Sequence, residues 1–205
     1  MNTGPKCFPV RRSAEHPSWI KAFHTAVLVA ALGVMLLPML LPTTASAHPQ
    51  TREGFFIGLG LASGSAALDF GDGSTTDRES GLGGSFRMGW TVNPKFAIGM
   101  ENNSWFKSQE GSSTTFGAVT LAASVFPAEG LVLRGGLGGG YEGAAGDGLG
   151  GDAGFAWTLG AAYEFRVTRS FALGPQVDYS HVGFESADAN YYNLGLSLNW
   201  YFIPK

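Results

Sequence analysis

The feature that most constrains this chain is a period-two alternation of large apolar side chains with small or polar ones, repeated in eight segments between residues 54 and 203. In the first segment, Phe55, Ile57, Leu59 and Leu61 alternate with glycine and alanine. Because successive side chains of a β-strand point to opposite faces, this pattern predicts strands with one bulky apolar face. The strands are expected at about 54–64, 82–92, from 96 onward, and at 115–125, 131–141, 155–167, 171–181 and 191–203.

Three short connections set the register of neighbouring strands, because pairing can be counted outward from a turn. The turns at 93–95, 126–130 and 168–170 predict the pairs Trp90–Ile98, Arg87–Glu101, Val125–Leu131, Val119–Leu137 and Phe165–Leu173. All three hairpins then carry their large apolar residues on a single face.

The other connections are longer and are expected near 65–81, 107–114, 142–153 and 183–190. Strands of about ten residues with an apolar face turned to lipid are typical of outer-membrane barrels. A bilayer tolerates β-structure only when every strand edge is paired, so the strands must close on themselves. The sequence therefore predicts an all-β fold, a closed eight-stranded antiparallel up-and-down transmembrane β-barrel with both termini at the short-turn end.

Residues 1–47 have the pattern of a cleavable signal peptide, which leaves 48–205 as the barrel domain. Basic residues precede an apolar stretch, 26–41, and Ala45 and Ala47 form a small-x-small site for signal peptidase. An uncleaved membrane helix is the alternative, but about 16 residues interrupted by Pro38 are short for a span of about 20. Cys7 is the only cysteine and lies in the leader, so the mature chain has no thiol chemistry.

Charge and composition exclude some functions. Residues 48–205 contain 9 Lys/Arg and 15 Asp/Glu, a formal charge of −6, which argues against a nucleic-acid partner. Glycine accounts for 31 of 205 residues, about twice its usual share, without a collagen period. This excess indicates closely packed β backbone.

Five charged side chains fall on the small-residue face, which lines the narrow interior. They are Arg87, Glu101, Arg134, Glu164 and Asp178. The register makes Arg87 and Glu101 cross-strand partners, and Arg134 and Glu164 lie at similar heights on neighbouring strands. Since an uncompensated buried charge is costly, we expect these groups to pair as a polar plug. A gated path for ions or small solutes is the alternative.

Other motifs give weaker signals. The glycine run at 135–140 resembles a phosphate-binding loop, but no helix pattern follows it. Carboxylates in the loops at 65–81 and 142–153 could hold Ca²⁺, although their spacing matches no calcium loop. His181, with Ser180, Glu185 and Ser186, could form a lipid hydrolase site at the outer rim. We expect instead an interfacial histidine opposite Trp157, and no catalytic site, metal or cofactor.

The last strand carries a recognisable pattern. Asn193, Gly195, Leu198, Trp200 and Phe202 resemble the polar-x-Gly-x-x-hydrophobic-x-aromatic signal that the barrel-assembly machinery reads, although the chain continues to Lys205.

With the eight strands, short turns and long loops, the chain resembles the small outer-membrane β-barrel family typified by the transmembrane domain of outer-membrane protein A. The lipid A deacylase branch of eight-stranded barrels carries a His-x-Ser pair, whereas His181 here is followed by Val182 and Gly183.

The resemblance implies a non-enzymatic protein of the bacterial outer membrane with a structural or surface-interaction role through its extracellular loops. The expected partners are outer-membrane lipids including lipopolysaccharide, the barrel-assembly machinery, and an extracellular ligand at the loops. Three alternatives stay open: a narrow pore for small or hydrophobic solutes, a lipid-modifying enzyme at the outer leaflet, and a soluble lipocalin-like binder. The last would turn its apolar face inward.

Overall fold

A computed structural model describes residues 52–109, 112–144 and 152–202. These residues form β1 Gly54–Phe70, β2 Glu79–Asn93, β3 Phe96–Gln109, β4 Ser112–Val125, β5 Leu131–Ala144, β6 Ala153–Tyr163, β7 Phe165–Arg166, β8 Phe171–Gly183 and β9 Ala187–Phe202. β6 and β7 are two parts of one strand interrupted at Glu164, because both pair with β8. The described residues contain no helix that is long and apolar enough to cross a membrane.

The strands close into a ring. Each strand from β1 to β6 pairs with the next, β9 pairs with both β1 and β8, and β8 returns to β6. The β1–β9 seam is long and runs from Phe55 opposite Phe202 to Phe70 opposite Ala187. With β6 and β7 counted as one strand, the predicted closed eight-stranded antiparallel barrel is confirmed.

Two of the three predicted registers are confirmed. Trp90 lies opposite Ile98 across β2 and β3, and Phe165 lies opposite Leu173 across β7 and β8. The connections are short, from Asn93 to Phe96 and from Arg166 to Phe171, so they fix the pairing of the strands as expected.

The register predicted for β4 and β5 is wrong by two residues. The observed pairs are Val125–Leu133 and Val119–Gly139, in place of Val125–Leu131 and Val119–Leu137. Phe126 is buried inside the barrel, and its N–H donates to the carbonyl of Lys95 at 3.0 Å, so the turn starts later than expected. A shift of two residues keeps every side chain on its predicted face, because the strand period is two.

The strands also run further toward the long-loop end than predicted. β1 continues to Phe70 and β2 begins at Glu79, so only 71–78 remain of the loop expected at 65–81. β8 and β9 are separated by 184–186 alone, in place of the loop at 183–190. The strands remain paired here, but their side chains are polar or small. The alternation of large apolar residues therefore did not indicate these strand ends. Parts of the loops at 107–114 and 142–153 lie outside the described residues.

The large apolar face is the outer one. The large apolar side chains at least half exposed are Leu61, Leu82, Trp90, Val92, Met100, Leu121, Leu137, Phe155, Leu159, Val167, Leu196 and Phe202. Glycine, alanine and polar residues face the interior, as an eight-stranded barrel requires. This orientation is opposite to that of a soluble lipocalin-like binder, and that alternative does not fit the structure.

Arginine at two positions of the outer face tests this orientation. Leu61 is 78% exposed midway along the outer face of β1, and Val92 is 61% exposed beside a short turn. In a bilayer we expect Leu61→Arg to lower the free energy of unfolding by about 2–4 kcal/mol and Val92→Arg by about 0–1 kcal/mol. Reversible unfolding from lipid vesicles measures both values, and equal losses at the two positions would contradict the orientation.

Candidate functional site

The barrel interior contains all the buried charged side chains of the described residues. They are Arg52, Arg87, Glu101, Arg134, Glu164 and Asp178. Three arginines therefore face three carboxylates inside a lumen only wide enough for side chains. The five interior charges predicted from sequence are all buried, and Arg52 joins them from the segment before β1.

The interior side chains form three layers along the barrel axis. The lower layer, near the short turns, comprises Arg52, Phe126, Glu164 and Tyr201. The central network comprises Arg87, Glu101, Asn103, Arg134, Gln176, Asp178 and Asn199. The outer plug, toward the long loops, comprises Trp105, Phe116, Val182 and Tyr191 with four alanines around them.

Arg134 lies between two carboxylates in the central network. Its Nη2 donates to Asp178 Oδ1, and its Nε lies 3.8 Å from Glu101 Oε1. Glu101 also accepts a hydrogen bond at 2.7 Å from Asn103 Nδ2. The guanidinium thus bridges β3 and β8 across the lumen, because Glu101 belongs to one and Asp178 to the other.

Arg87 is opposite Glu101 in the β2–β3 register, as predicted, but its guanidinium turns elsewhere. Nη2 donates to Gln176 Oε1 at 3.3 Å and to Asn199 Oδ1 at 3.2 Å. Gln176 in turn donates to Ser85 Oγ at 3.1 Å. The hydrogen bonds of Arg87 therefore go to neutral amides on β8 and β9, while Arg134 takes both nearby carboxylates.

The expected closeness of Arg134 and Glu164 is not observed. Arg134 lies opposite Gly160, four residues before Glu164 along the same wall. Glu164 instead binds Arg52 through Oε2, at 3.1 Å from Nη2, and accepts the hydroxyl of Tyr201 at 2.7 Å on Oε1. The reason is that a long connection joins β5 at Ala144 to β6 at Ala153, so no short turn fixed the register of these two strands in the sequence.

Glycines make room for these long side chains in the narrow lumen. A Cβ at Gly160 would lie 2.9 Å from the Arg134 guanidinium, and one at Gly58 would lie 3.2 Å from that of Arg87. A Cβ at Gly60 would overlap the amide of Gln176. Gly58 and Gly160 are the cross-strand partners of Arg87 and Arg134, so the glycine excess in the sequence reflects long side chains that lie over the backbone of a neighbouring strand.

The outer plug is apolar and was not predicted from the sequence. The rings of Trp105 and Phe116 stack with centroids 5.6 Å apart, and Tyr191 donates its hydroxyl to the carbonyl of Asn103 at 2.8 Å. Val182 packs beside them, fully buried. Strict alternation from the predicted strands could have found Trp105 and Tyr191, since both continue the small-residue face of their strands.

The closing-strand residues divide between the two faces of β9. Leu198, Trp200 and Phe202 are exposed outward, whereas Asn193 is buried and donates to the carbonyl of Ser104 at 3.2 Å. Gly195 lies against the backbone of β1, where a Cβ would overlap it. Ala45 and Ala47, the expected signal-peptidase site, lie outside the described residues.

The possible hydrolase set is not assembled. His181 faces outward against Trp157, with ring centroids 5.6 Å apart, whereas Ser180 is 1% exposed on the inner face. Serine and histidine at adjacent strand positions point to opposite sides of the wall. Ser180 therefore cannot be activated by this histidine.

The acidic loops do not form a metal site among the described residues, where no group of three or more histidine, cysteine or carboxylate side chains is placed to hold an ion. Asp72 instead organises its own turn. Its Oδ1 accepts hydrogen bonds from Ser74 Oγ at 2.6 Å and Ser74 N–H at 2.9 Å, which lower the pKa of the carboxyl.

Comparison with known proteins identifies the fold. No protein-family model matches the chain, and neither does any curated protein. Among solved structures, the crystal structure of Ail, the attachment invasion locus protein of Yersinia pestis, is similar, with 15% identity over 72% of this chain and 99% of Ail and a TM-score of 0.51. Neisserial surface protein A is similar at 11% identity over 74% of this chain and 99% of its own, with a TM-score of 0.56. The chain therefore has the fold of the small eight-stranded outer-membrane β-barrels.

Proposed function

We propose that this chain is a bacterial outer-membrane protein with a structural or surface-interaction role, acting through its outer rim and loops. The observation that carries the proposal is the filled interior. The central network and the outer plug each close the lumen, one with paired charges and the other with packed aromatic rings. An enzymatic role has no support, because His181 and Ser180 lie on opposite faces of β8.

The outer surface supports a place in the membrane. Exposed large apolar side chains occur on strands around the whole ring. Near the short turns, aromatic rings form pairs, Phe55 with Trp90 at 5.9 Å and Phe171 with Trp200 at 5.0 Å. Such aromatic belts are typical of membrane–water interfaces. The barrel resides in the outer membrane, with the short turns toward the periplasm.

The surface at the long-loop end is acidic. Its described charged residues are Asp69, Asp72, Asp77, Arg78, Glu79, Lys107, Glu142, Asp152, Glu185 and Asp188. Ail has been crystallised with the heparin analogue sucrose octasulfate, at 16% identity to this chain over 72% of it and 99% of Ail and a TM-score of 0.52. A polyanion of that kind would be repelled here. We therefore propose an uncharged or cationic extracellular ligand.

Two further partners follow from the same placement. Outer-membrane lipids, including lipopolysaccharide, contact the apolar wall. The barrel-assembly machinery reads the last strand, where Leu198, Trp200 and Phe202 face outward on the strand that closes the ring with β1. Export through a signal peptide at 1–47 delivers the chain to that machinery.

A narrow pore is the second candidate function, because the central network is wholly polar and charged. Water and ions would pass through this polar layer if its side chains moved aside. The outer plug opposes conduction, since its aromatic rings close the same lumen nearer the long loops.

Planar-bilayer conductance separates the two functions. We expect no current steps from the wild-type barrel, from Gln176→Ala or from Trp105→Ala, because each single variant leaves one layer closed. The double variant Gln176→Ala/Trp105→Ala opens both layers while Arg87 keeps its hydrogen bond to Asn199, and it is expected to conduct. Gln176→Ala/Met100→Ala, in which the second change lies on the outer face, is the matched control and should stay closed. Steps from the wild-type barrel would favour the pore.

Membrane placement has its own test. We expect the unboiled wild-type protein, recovered from the outer-membrane fraction, to migrate on a denaturing gel as a compact species that shifts on boiling. A closed ladder of backbone hydrogen bonds resists detergent until heated, which is the physical reason for the shift. Recovery in the soluble fraction without detergent would contradict the proposal.

A further inference from the structure

A hydrogen-bonded polar cluster lies on the outward face of the barrel at the long-loop end of β8, β9 and β1. We call it the rim cluster, and it comprises Asp69, Tyr179, His181, Asp188 and Asn190. These residues adjoin in the register, since His181 lies opposite Asn190 and Asp69 lies opposite Asp188. The cluster belongs to the outer wall and makes no part of the filled interior.

The hydrogen bonds fix the orientation of the histidine. Asn190 Nδ2 donates to Asp69 Oδ2 at 2.6 Å, which leaves Asn190 Oδ1 as an acceptor. That oxygen receives the hydroxyl of Tyr179 at 2.6 Å and lies 2.9 Å from Nδ1 of His181. His181 must therefore carry its proton on Nδ1, because only a donor can face this oxygen. Nε2 is then left to interact with a ligand.

A notch over Gly183 lies between two of these polar groups. A Cβ on Gly183 would be 3.3 Å from Asp188 Oδ1 and 3.9 Å from His181 Nε2. A small group seated over the glycine would therefore meet a carboxylate oxygen on one side and an imidazole nitrogen on the other. A hydroxyl suits this place, because its one proton can be donated either to Asp188 Oδ1 or to the unprotonated Nε2 of His181.

Trp157 connects the rim cluster to an apolar groove in the lipid-facing wall. Its ring stacks on His181 and packs against Tyr179, with centroids 5.6 Å and 5.2 Å apart. The same tryptophan lines a groove of about 500 Å³, whose other walls include Ile98, Leu121, Leu137 and Leu159. Ala123 and Gly135 form its floor, since their small side chains leave the space open.

The opposite side of the barrel carries different residues. On β2 and β3 the outward positions toward the long loops carry Leu82 and Phe106, both exposed and apolar. The outward polar residues next to them, Asn102 and Ser104, bond to each other and bring neither a carboxylate nor an imidazole. Ordinary lipid solvation treats all sides of a barrel alike, so a polar cluster joined to a groove on one side indicates a particular lipid.

We propose that the rim cluster and the groove together bind one glycolipid of the outer leaflet, with its saccharide head group on the rim cluster and an acyl chain in the groove. One sugar hydroxyl lies over Gly183 between His181 and Asp188. The proposal rests on the outer-membrane location proposed above, and it assigns the lipid contact to one side of the wall.

The chemistry of the rim cluster favours a sugar over a phosphate. Two carboxylates, Asp69 and Asp188, repel an anionic group but accept hydrogen bonds from hydroxyls. Tyr179 and Trp157 offer aromatic surface that packs against the C–H groups of a sugar ring. Phosphatidylcholine, which has a phosphate and no hydroxyl, lacks the donors that this cluster requires.

Lipid retention tests the proposal. The full chain is folded in vesicles that contain lipid A from which the phosphates have been removed, an uncharged acylated glucosamine disaccharide, together with phosphatidylcholine, which has a phosphate and no hydroxyl. It is then extracted gently and weighed by native mass spectrometry. We expect the wild-type barrel to keep one lipid A and to lose phosphatidylcholine. Gly183→Val fills the notch and should lower lipid A retention about fivefold, the loss of roughly one hydrogen bond. Gly135→Leu fills the groove and should weaken retention as well.

Gly84→Val is the matched control. Gly84 is an outward strand glycine on β2 whose Cβ would meet Phe106 at 3.6 Å, so valine fits there away from the rim cluster. This variant should retain lipid A like the wild-type barrel, and a heat-modifiable gel band reports the folding of every variant. A folded wild-type barrel that keeps both lipids equally, or a Gly183→Val variant that retains lipid A fully, would overturn the site alone. A wild-type barrel that fails to insert would overturn the proposed location and the site with it.

Discussion

The structure depends on the closure of its hydrogen-bond ladder. In hydrocarbon, no water replaces a missing backbone partner, so each strand must be paired on both sides. Eight strands meet this demand with the seam between β1 and β9, which runs the full length of β9 from Phe202 to Ala187. The narrow barrel that results determines which side chains face inward. Large apolar side chains fit only on the outside, and the interior accepts small residues and a few long polar ones.

The filled interior follows from that narrowness. Long side chains such as Arg87 and Arg134 extend into the lumen over glycines of the neighbouring strands, and their hydrogen bonds join distant parts of the sequence. Since buried charges need partners, the arginines and carboxylates balance within the lumen. A barrel closed in this way offers its rim and outer wall, rather than its core, for interaction with other molecules.

The sequence predicted the fold, the facing of each strand and five of the buried charges, because a two-residue period and short turns encode them locally. It could not predict which charges pair. Arg134 and Asp178 flank Gly160 in the β5–β6–β8 register, but the long connection between β5 and β6 left that register open in the sequence. Glu164 binds Arg52, which lies before the first strand. The turn after β4 was misjudged because Phe126 points inward, a tertiary preference of one aromatic ring. The rim cluster likewise joins residues more than a hundred positions apart.

The lower layer has a mechanical consequence. Arg52, directly before β1, forms an ion pair with Glu164, which lies between β6 and β7 in the sixth strand of the barrel. Glu164 also accepts a hydrogen bond from the hydroxyl of Tyr201 in β9. Tension applied to the chain upstream of Arg52 is therefore shared by the first, sixth and final strands at once. The lower layer therefore couples the first and last strands, so neither can separate from the barrel without breaking contacts to the other.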